Sequence, residues 1–121
     1  MERAALILSA TGAIAELDLR LEDADVTSKV LADAIGCQQL DVVRLTTRWD
    51  MWVDLDGRDR APINHAAVHL AHRYGYSWRP YWGTVVFATT DQNGNPMGLA
   101  PDQLNALRRQ LAVYAGGSPR S

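Results

Sequence analysis

Apolar and polar residues alternate near the beginning of the chain in two short runs. The runs lie on either side of Thr11 and Gly12, and the second one alternates isoleucine and leucine imperfectly with charged residues such as Glu16 and Asp18. Alternation on both sides of a glycine-containing turn is typical of a β-hairpin. We therefore predict that the fold opens with two antiparallel strands.

A helical spacing of apolar residues follows in three longer segments. The first lies between a capping aspartate and Gly36, the second runs from Pro62 to Gly75, and the third from Pro101 to about Tyr114. Aspartate caps and first-turn prolines begin helices, whereas glycine ends them. These three segments are predicted to be α-helices.

The second predicted helix has two chemically different faces, because at about 100° per residue its apolar side chains fall opposite three histidines. The apolar face comprises Ile63, Ala66, Ala67, Leu70, Ala71 and Tyr74, and the histidine face comprises His65, His69 and His72. We expect the apolar face to pack on the core.

Three further segments are typical of β-strands, namely residues 40–46, 50–55 and 83–90. They are rich in β-branched residues, the second ends at Asp56 and Gly57, and the third, "GTVVFATT", precedes the turn sequence "DQNGN". The third segment is the most strand-like and predicts a central strand.

The order of these elements, ββαββαβα, predicts an α+β fold. We expect a mostly antiparallel sheet with the helices packed on one face. Residues 1–115 form this single domain in the prediction, and residues 116–121 form a flexible C-terminal tail.

The composition is that of a globular domain, with 121 residues, 47% hydrophobic and 21% charged. No apolar run approaches the roughly 20 residues of a transmembrane helix, and the first residues lack the layout of a signal peptide. Cys37 is the only cysteine, which excludes an internal disulfide and suits a reducing compartment. We expect a cytoplasmic protein without a membrane partner.

The net charge of −2 argues against a protein that coats nucleic acid by bulk attraction. The basic residues are eleven arginines and Lys29. Base composition of the genome explains this imbalance most simply, although arginine also suits recognition of planar anions. The sequence therefore leaves a local basic site as an alternative.

Several short motifs resemble a family of small domains of unknown function found on phages, on plasmids and in bacteria. They are V-D-x-x-G at Val53, Asp54 and Gly57, then Asn64 and Ala67, then G-T-V-V at residues 83–86, with Gly94 and Gly98 in the closing turn. The resemblance implies the opening hairpin and helix and a phage or plasmid association. It implies no reaction.

The three histidines are spaced so that a helix places their imidazoles on one face. His65, His69 and His72 could bind zinc or copper in this arrangement. Ala66 occupies the position where a metalloprotease has its glutamate base, and a solvated polar face produces the same pattern. We expect no metal and no cofactor, with a small metal-dependent enzyme using this face as the alternative.

Aromatic residues are concentrated in "YGYSWRPYW", which holds five of the nine in the chain between residues 74 and 82. Aromatic rings beside arginine suit stacking on a nucleobase and pairing with its phosphate. They equally form a packed satellite cluster or bury against a protein partner or a second copy. All three interpretations stay open for this stretch and for the group at Arg48, Trp49 and Trp52.

Other candidate residues favour structural roles. Asn64 lies in the first turn of the second helix, where its amide could hold the preceding loop. Asp54, Asp56 and Asp59 alternate as in a calcium loop, but no glutamate follows at the twelfth position. Cys37 has no activating partner in the sequence.

Because no nucleophile or acid-base set emerges, the sequence favours a non-enzymatic binding or regulatory module without catalytic residues. We expect it to contact a protein partner, a second copy of itself in a homodimer, or a nucleotide-like ligand or single strand. The surface predicted for this contact comprises Trp49, Trp52, Asn64, Trp78, Arg79, Tyr81 and Trp82.

Overall fold

The computed structural model describes residues 3–19, 24–46, 48–58, 61–76, 78–92 and 94–113. The predicted aspartate cap of the first helix, Asp59, Tyr114 and the predicted tail at residues 116–121 lie outside these ranges. The elements are β1 (Ala5–Leu8), β2 (Ile14–Leu17), α1 (Ala24–Ile35), β3 (Leu40–Arg44), β4 (Asp50–Asp54), α2 (His65–Arg73), β5 (Val85–Thr90), β6 (Pro96–Met97) and α3 (Pro101–Ala112).

The strands form one antiparallel sheet in the order β2-β1-β5-β4-β3, with β6 paired to the end of β5. The predicted α+β fold is confirmed, and β5 is central as expected. The element β6 is additional to the prediction, because two residues are too few to produce an alternating pattern.

The central strand is apolar on both faces of the sheet. Val85 and Phe87 pack into one cluster of buried residues with Leu6 and Leu8 of β1. Val86 and Ala88 point the other way, since successive side chains of a strand alternate, and they join a second cluster with Ala5 and Leu31. The sheet therefore needs cover on both sides.

The helices are divided between these two faces. Leu70 of α2 and Leu107 of α3 belong to the first cluster, whereas Leu31 of α1 belongs to the second. The prediction that all helices lie on one face is thus corrected for α1. The physical reason is that a strand with an unbroken apolar run, such as β5, is buried on both faces.

The predicted apolar face of α2 is the face that packs on the core in the structure. Ala66, Ala67, Leu70 and Ala71 are buried, and the three histidines are exposed. Ile63 differs, because it precedes the helix, forms a β-bridge with Trp82 and is 37% exposed. Within the described part of the chain, no helix has the length and apolarity needed to cross a membrane.

Candidate functional site

The start of α2 is fixed by the buried side chain of Asn64. Its Oδ1 accepts a hydrogen bond from the backbone N–H of Ala67 at 3.1 Å, which caps the helix. Its Nδ2 donates to the carbonyl oxygens of Leu8 at 3.1 Å and Gly83 at 2.9 Å. One side chain thereby ties α2 to the end of β1 and to the segment leading into β5.

The segment before β5 also pairs with the residues before α2. The N–H of Asn64 donates to the carbonyl of Tyr81 at 2.7 Å, and the N–H of Gly83 donates to the carbonyl of Pro62 at 2.8 Å. Gly83 has a φ of +79°, a left-handed conformation that glycine adopts without strain. Residues 78–82 therefore run close to the start of α2.

Several aromatic side chains of the 74–82 stretch are used for packing. The ring of Tyr74 lies edge-on to Trp49 with centroids 5.8 Å apart, and its hydroxyl donates to Oε1 of Gln110 at 2.7 Å. The hydroxyl of Tyr76 donates to the carbonyl of Arg44. Tyr81 is 3% exposed and belongs to the main core.

Trp78 is the exception, because its side chain is 56% exposed. One face of its indole is stacked on the imidazole of His72, with ring centroids 3.7 Å apart and planes inclined by 20°. His69 contacts the indole edge-on at 5.0 Å. The ring of His72 is itself oriented by a 3.2 Å contact between Nδ1 and the carbonyl oxygen of Tyr76.

A shallow groove of about 270 Å³ lies beside the Trp78 indole. We call this the Trp78 groove, and its lining residues are Ile63, His65, Val68, Trp78, Arg79 and Pro80. The guanidinium of Arg79 lies over the ring of Tyr81, 5.0 Å from its centroid. No ion pair of Arg79 is found among the residues that the structure describes. The groove is thus apolar with a cation at its rim.

The charge of the chain is unevenly distributed around this groove. Residues 61–90 contain Arg73 and Arg79 but no aspartate or glutamate, which gives them a charge of +2. The remaining ten basic and fourteen acidic residues give −4, for the total of −2. The three histidines, all exposed, lie in the same segment. The chain segment that supplies the lining of the groove therefore contains no acidic side chain.

The three histidines of the metal-binding alternative serve other contacts. The rings of His69 and His72 both pack against Trp78, and His65 lines the groove. Within residues 3–113, apart from the undescribed positions, no group of three or more His, Cys, Asp or Glu side chains is placed to hold a metal ion. The helical spacing of His69 and His72 thus brings two imidazoles against one indole.

The structure does not bring the seven predicted surface residues together. Trp49, Asn64 and Tyr81 are buried, and Trp82 is half-buried. Trp52 packs against the second cluster, on the face of the sheet covered by α1. Trp78 and Arg79 are exposed and adjacent, and Arg79 also lines a smaller cleft with Tyr81 and Trp82. Ile63, Val68 and Pro80 complete the groove and were not predicted, because their proximity depends on the pairing of residues 62–64 with 81–83.

A smaller cleft lies on the other side of Arg79 and includes Tyr81, Asp41 and Asp54. The hydroxyl of Tyr81 is buried and has no hydrogen-bond partner in the described residues. Burial raises the pKa of this phenol above its ordinary value of 10.0, and the positive charge of Arg79 opposes the rise. The hydroxyl is therefore neutral in the folded protein at physiological pH.

Comparison with known proteins identifies the family of the chain. No curated protein and no solved structure matches it significantly. The family model of DUF3846, described as a domain of unknown function, matches residues 6–112. This range contains all the strands and helices given above except the first residue of β1. The chain therefore belongs to the DUF3846 family.

Proposed function

We propose that this protein is a non-enzymatic binding module that acts through the Trp78 groove. The observation that carries the proposal is the placement of the Trp78 indole, which is 56% exposed yet held in one orientation by His72 and His69. Ring packing of this kind limits the freedom of the indole without removing it from solvent. An oriented, exposed aromatic residue is typical of the centre of a binding surface.

The other aromatic residues of the 74–82 stretch differ from Trp78, and this difference supports the choice of Trp78 as the contact residue. Tyr74, Tyr76 and Tyr81 from the same stretch direct their rings or hydroxyls into the protein. Among the described residues, Trp78 is the one aromatic side chain in the set of exposed large hydrophobic residues. Packing explains the other members of the stretch, whereas Trp78 and Ile63 are exposed large hydrophobic residues that line the same groove, and exposed apolar patches of this kind mark binding surfaces.

The groove lacks the groups of an acid-base active site. Its lining holds one imidazole and one guanidinium but no carboxylate, thiol or hydroxyl. Two of the three imidazoles required by a metal-dependent enzyme contact the indole. These contacts favour binding over catalysis. The proposal includes a cytoplasmic location and the phage or plasmid association that the sequence resemblance implies.

The test compares the full chain with two variants of exposed apolar residues, Trp78→Ala and Val113→Ala. Val113 is 66% exposed and lies beyond the end of α3, outside the groove. Native mass spectrometry and sedimentation of freshly purified protein report bound small molecules and self-association, and affinity capture followed by titration with each purified partner reports binding. Far-UV circular dichroism checks folding.

We expect Trp78→Ala to remain folded and to lose a complex that Val113→Ala retains. Complexes that survive Trp78→Ala unchanged would contradict the proposal. So would a Trp78→Ala variant that is unfolded, since the indole would then be required for the core.

A further inference from the structure

We infer that the Trp78 groove binds a single strand of nucleic acid, with one base stacked on Trp78 and the neighbouring phosphates at Arg79 and Arg73. This inference rests on the proposed function and specifies its ligand. It follows from three features: the exposed indole, the absence of acidic side chains from the lining of the groove, and the two exposed arginines that follow His72 and Trp78.

The indole is a suitable platform for one base. His72 covers one of its faces at 3.7 Å, His69 contacts the ring edge-on, and the side chain is still 56% exposed. Ile63, Val68 and Pro80 border the adjoining space with apolar atoms. A flat aromatic ring can therefore stack on Trp78 and displace water from both surfaces. Stacking of this kind tolerates any of the bases.

The charge of residues 61–90 favours an anionic ligand. Arg73 and Arg79 are exposed and lack an ion pair in the described residues, and residues 61–90 contain no carboxylate side chain. Asp41 and Asp54 line a second cleft that shares Arg79 and Pro80 with the groove. The lining of the groove itself contains no carboxylate, so a phosphate there meets Arg79 without an acidic side chain in the same lining.

Two cations lie near the indole in the sequence, and they belong to different segments. Arg73 ends α2 directly after His72, the residue stacked on Trp78, and Arg79 follows Trp78 and lines the groove. Cations from two segments favour a strand with several phosphates over a mononucleotide. The small number of cations and the net charge of −2 argue against a duplex held by its backbone.

The competing occupant is an acidic segment of a protein. Carboxylates would also be attracted to Arg73 and Arg79, but they offer no flat ring for the free indole face. A protein segment with an aromatic residue beside acids would satisfy both features, and it is one outcome of the experiment below.

The experiment measures fluorescence anisotropy of a labelled single strand of about 12 nucleotides, a length within the site sizes of known single-strand modules. The full chain is compared with Trp78→Ala, Trp78→Phe, Arg79→Gln and Lys29→Gln at salt concentrations between about 50 and 200 mM. Lys29 is the matched control, because it is an exposed cation on α1, which covers the opposite face of the sheet.

We expect Trp78→Ala to weaken binding roughly 5- to 150-fold, as loss of a base-stacking residue does. Trp78→Phe retains a ring and should bind more tightly than the alanine variant. Two phosphate contacts give a slope of about −1.4 for the logarithm of the binding constant against that of salt, and Arg79→Gln should reduce it by about 0.7. Lys29→Gln should leave both quantities unchanged.

Three results would overturn the inference: no binding of the strand by the full chain, equal effects of Arg79→Gln and Lys29→Gln, or equal affinity for a mononucleotide or an acidic peptide. If the full chain does not bind the strand but a Trp78-dependent complex with a protein is found, the ligand is wrong and the proposed function stands. If no complex of any kind depends on Trp78, the proposed function fails as well.

Discussion

The indole of Trp78 is stacked on the imidazole of His72, with ring centroids 3.7 Å apart. These residues are separated by a glycine turn, since Gly75 follows the end of α2 with a φ of +97°. The turn reverses the chain so that Trp78 returns to the helix it has just left. The histidines on the exposed face of α2 therefore position Trp78, while the opposite face of the same helix packs on the core.

Removal of either ring should show that His72 positions Trp78. Edge and stacked ring pairs contribute about 0.5–1.5 kcal/mol beyond area burial, and solvent exposure places this pair near 0.5 kcal/mol. A double-mutant cycle of His72→Ala and Trp78→Ala, followed by urea unfolding, measures this coupling. The control is a second cycle in which His65→Ala takes the place of His72→Ala, and we expect no coupling between His65 and Trp78. Equal coupling in the two cycles would contradict the arrangement.

Asn64→Ala should be among the most destabilising polar substitutions in this chain. It removes the helix cap and the hydrogen bonds from the Asn64 amide to the carbonyls of Leu8 and Gly83. Loss of a cap costs about 1 kcal/mol, and each lost hydrogen bond about 1 kcal/mol, so we expect a loss of about 3 kcal/mol.

Chemical unfolding measures the effect of Asn64→Ala, with Asn105→Ala on the exposed face of α3 as the matched control. The control should change stability by about 0.5 kcal/mol or less. An Asn64→Ala variant as stable as Asn105→Ala would show that the three hydrogen bonds do not secure the start of α2.

The substitution Leu70→Ala tests which face of α2 packs on the core. Leu70 is fully buried in the main core, and its truncation should cost roughly 2–5 kcal/mol through lost burial and a cavity. His69→Ala, one residue away on the exposed face, should cost far less. Thermal or urea unfolding of the two variants compares them directly. A larger loss for His69→Ala would reverse the assignment.

Tyr81→Phe should stabilise the protein, because it removes a buried hydroxyl that lacks a hydrogen-bond partner in the described residues. We expect a gain of about 1 kcal/mol at neutral pH. Tyr76→Phe is the control, since it removes a hydroxyl that donates to Arg44, and its expected effect is a loss of similar size. A loss for both variants would mean that the Tyr81 hydroxyl is bonded.

The same tyrosine predicts an alkaline loss of stability. Because burial raises the pKa of Tyr81 above 10.0, the unfolded chain releases this proton first as the pH rises. The unfolded state then binds fewer protons than the folded state, so the free energy of unfolding falls above about pH 10. Unfolding of wild type and Tyr81→Phe between neutral and alkaline pH isolates this contribution. Parallel curves would contradict it.

The sequence was sufficient for elements with a strong local pattern. The apolar residues of α2 recur at helical spacing, and the apolar run of β5 marks a central strand. The face covered by α1 was predicted wrongly, because the prediction did not take into account that Val85 and Val86 point to opposite faces of the sheet and that both are buried. The two-residue strand β6 has no pattern long enough to predict.

The candidate site was harder to predict, since it depends on contacts between distant segments. Trp49 and Trp52 resemble one group in the sequence, yet three residues along an extended chain place their side chains on opposite faces. Trp78 and Tyr81 have the same spacing and similar chemistry, but the first is exposed and the second buried. The hydrogen bonds from Asn64 to the carbonyls of Tyr81 and Gly83 join segments that are distant in the sequence, and a local pattern does not predict them.

Fluorine NMR of protein labelled with fluorotryptophan tests the central claim, that Trp78 is the contact residue, most directly. The chain has four tryptophans, and Trp78→Phe assigns the signal of interest. We predict that the Trp78 signal is the most solvent-accessible and shifts on titration with the single strand, while the signal of buried Trp49 stays in place. Binding of the strand with an unchanged Trp78 signal would contradict the account.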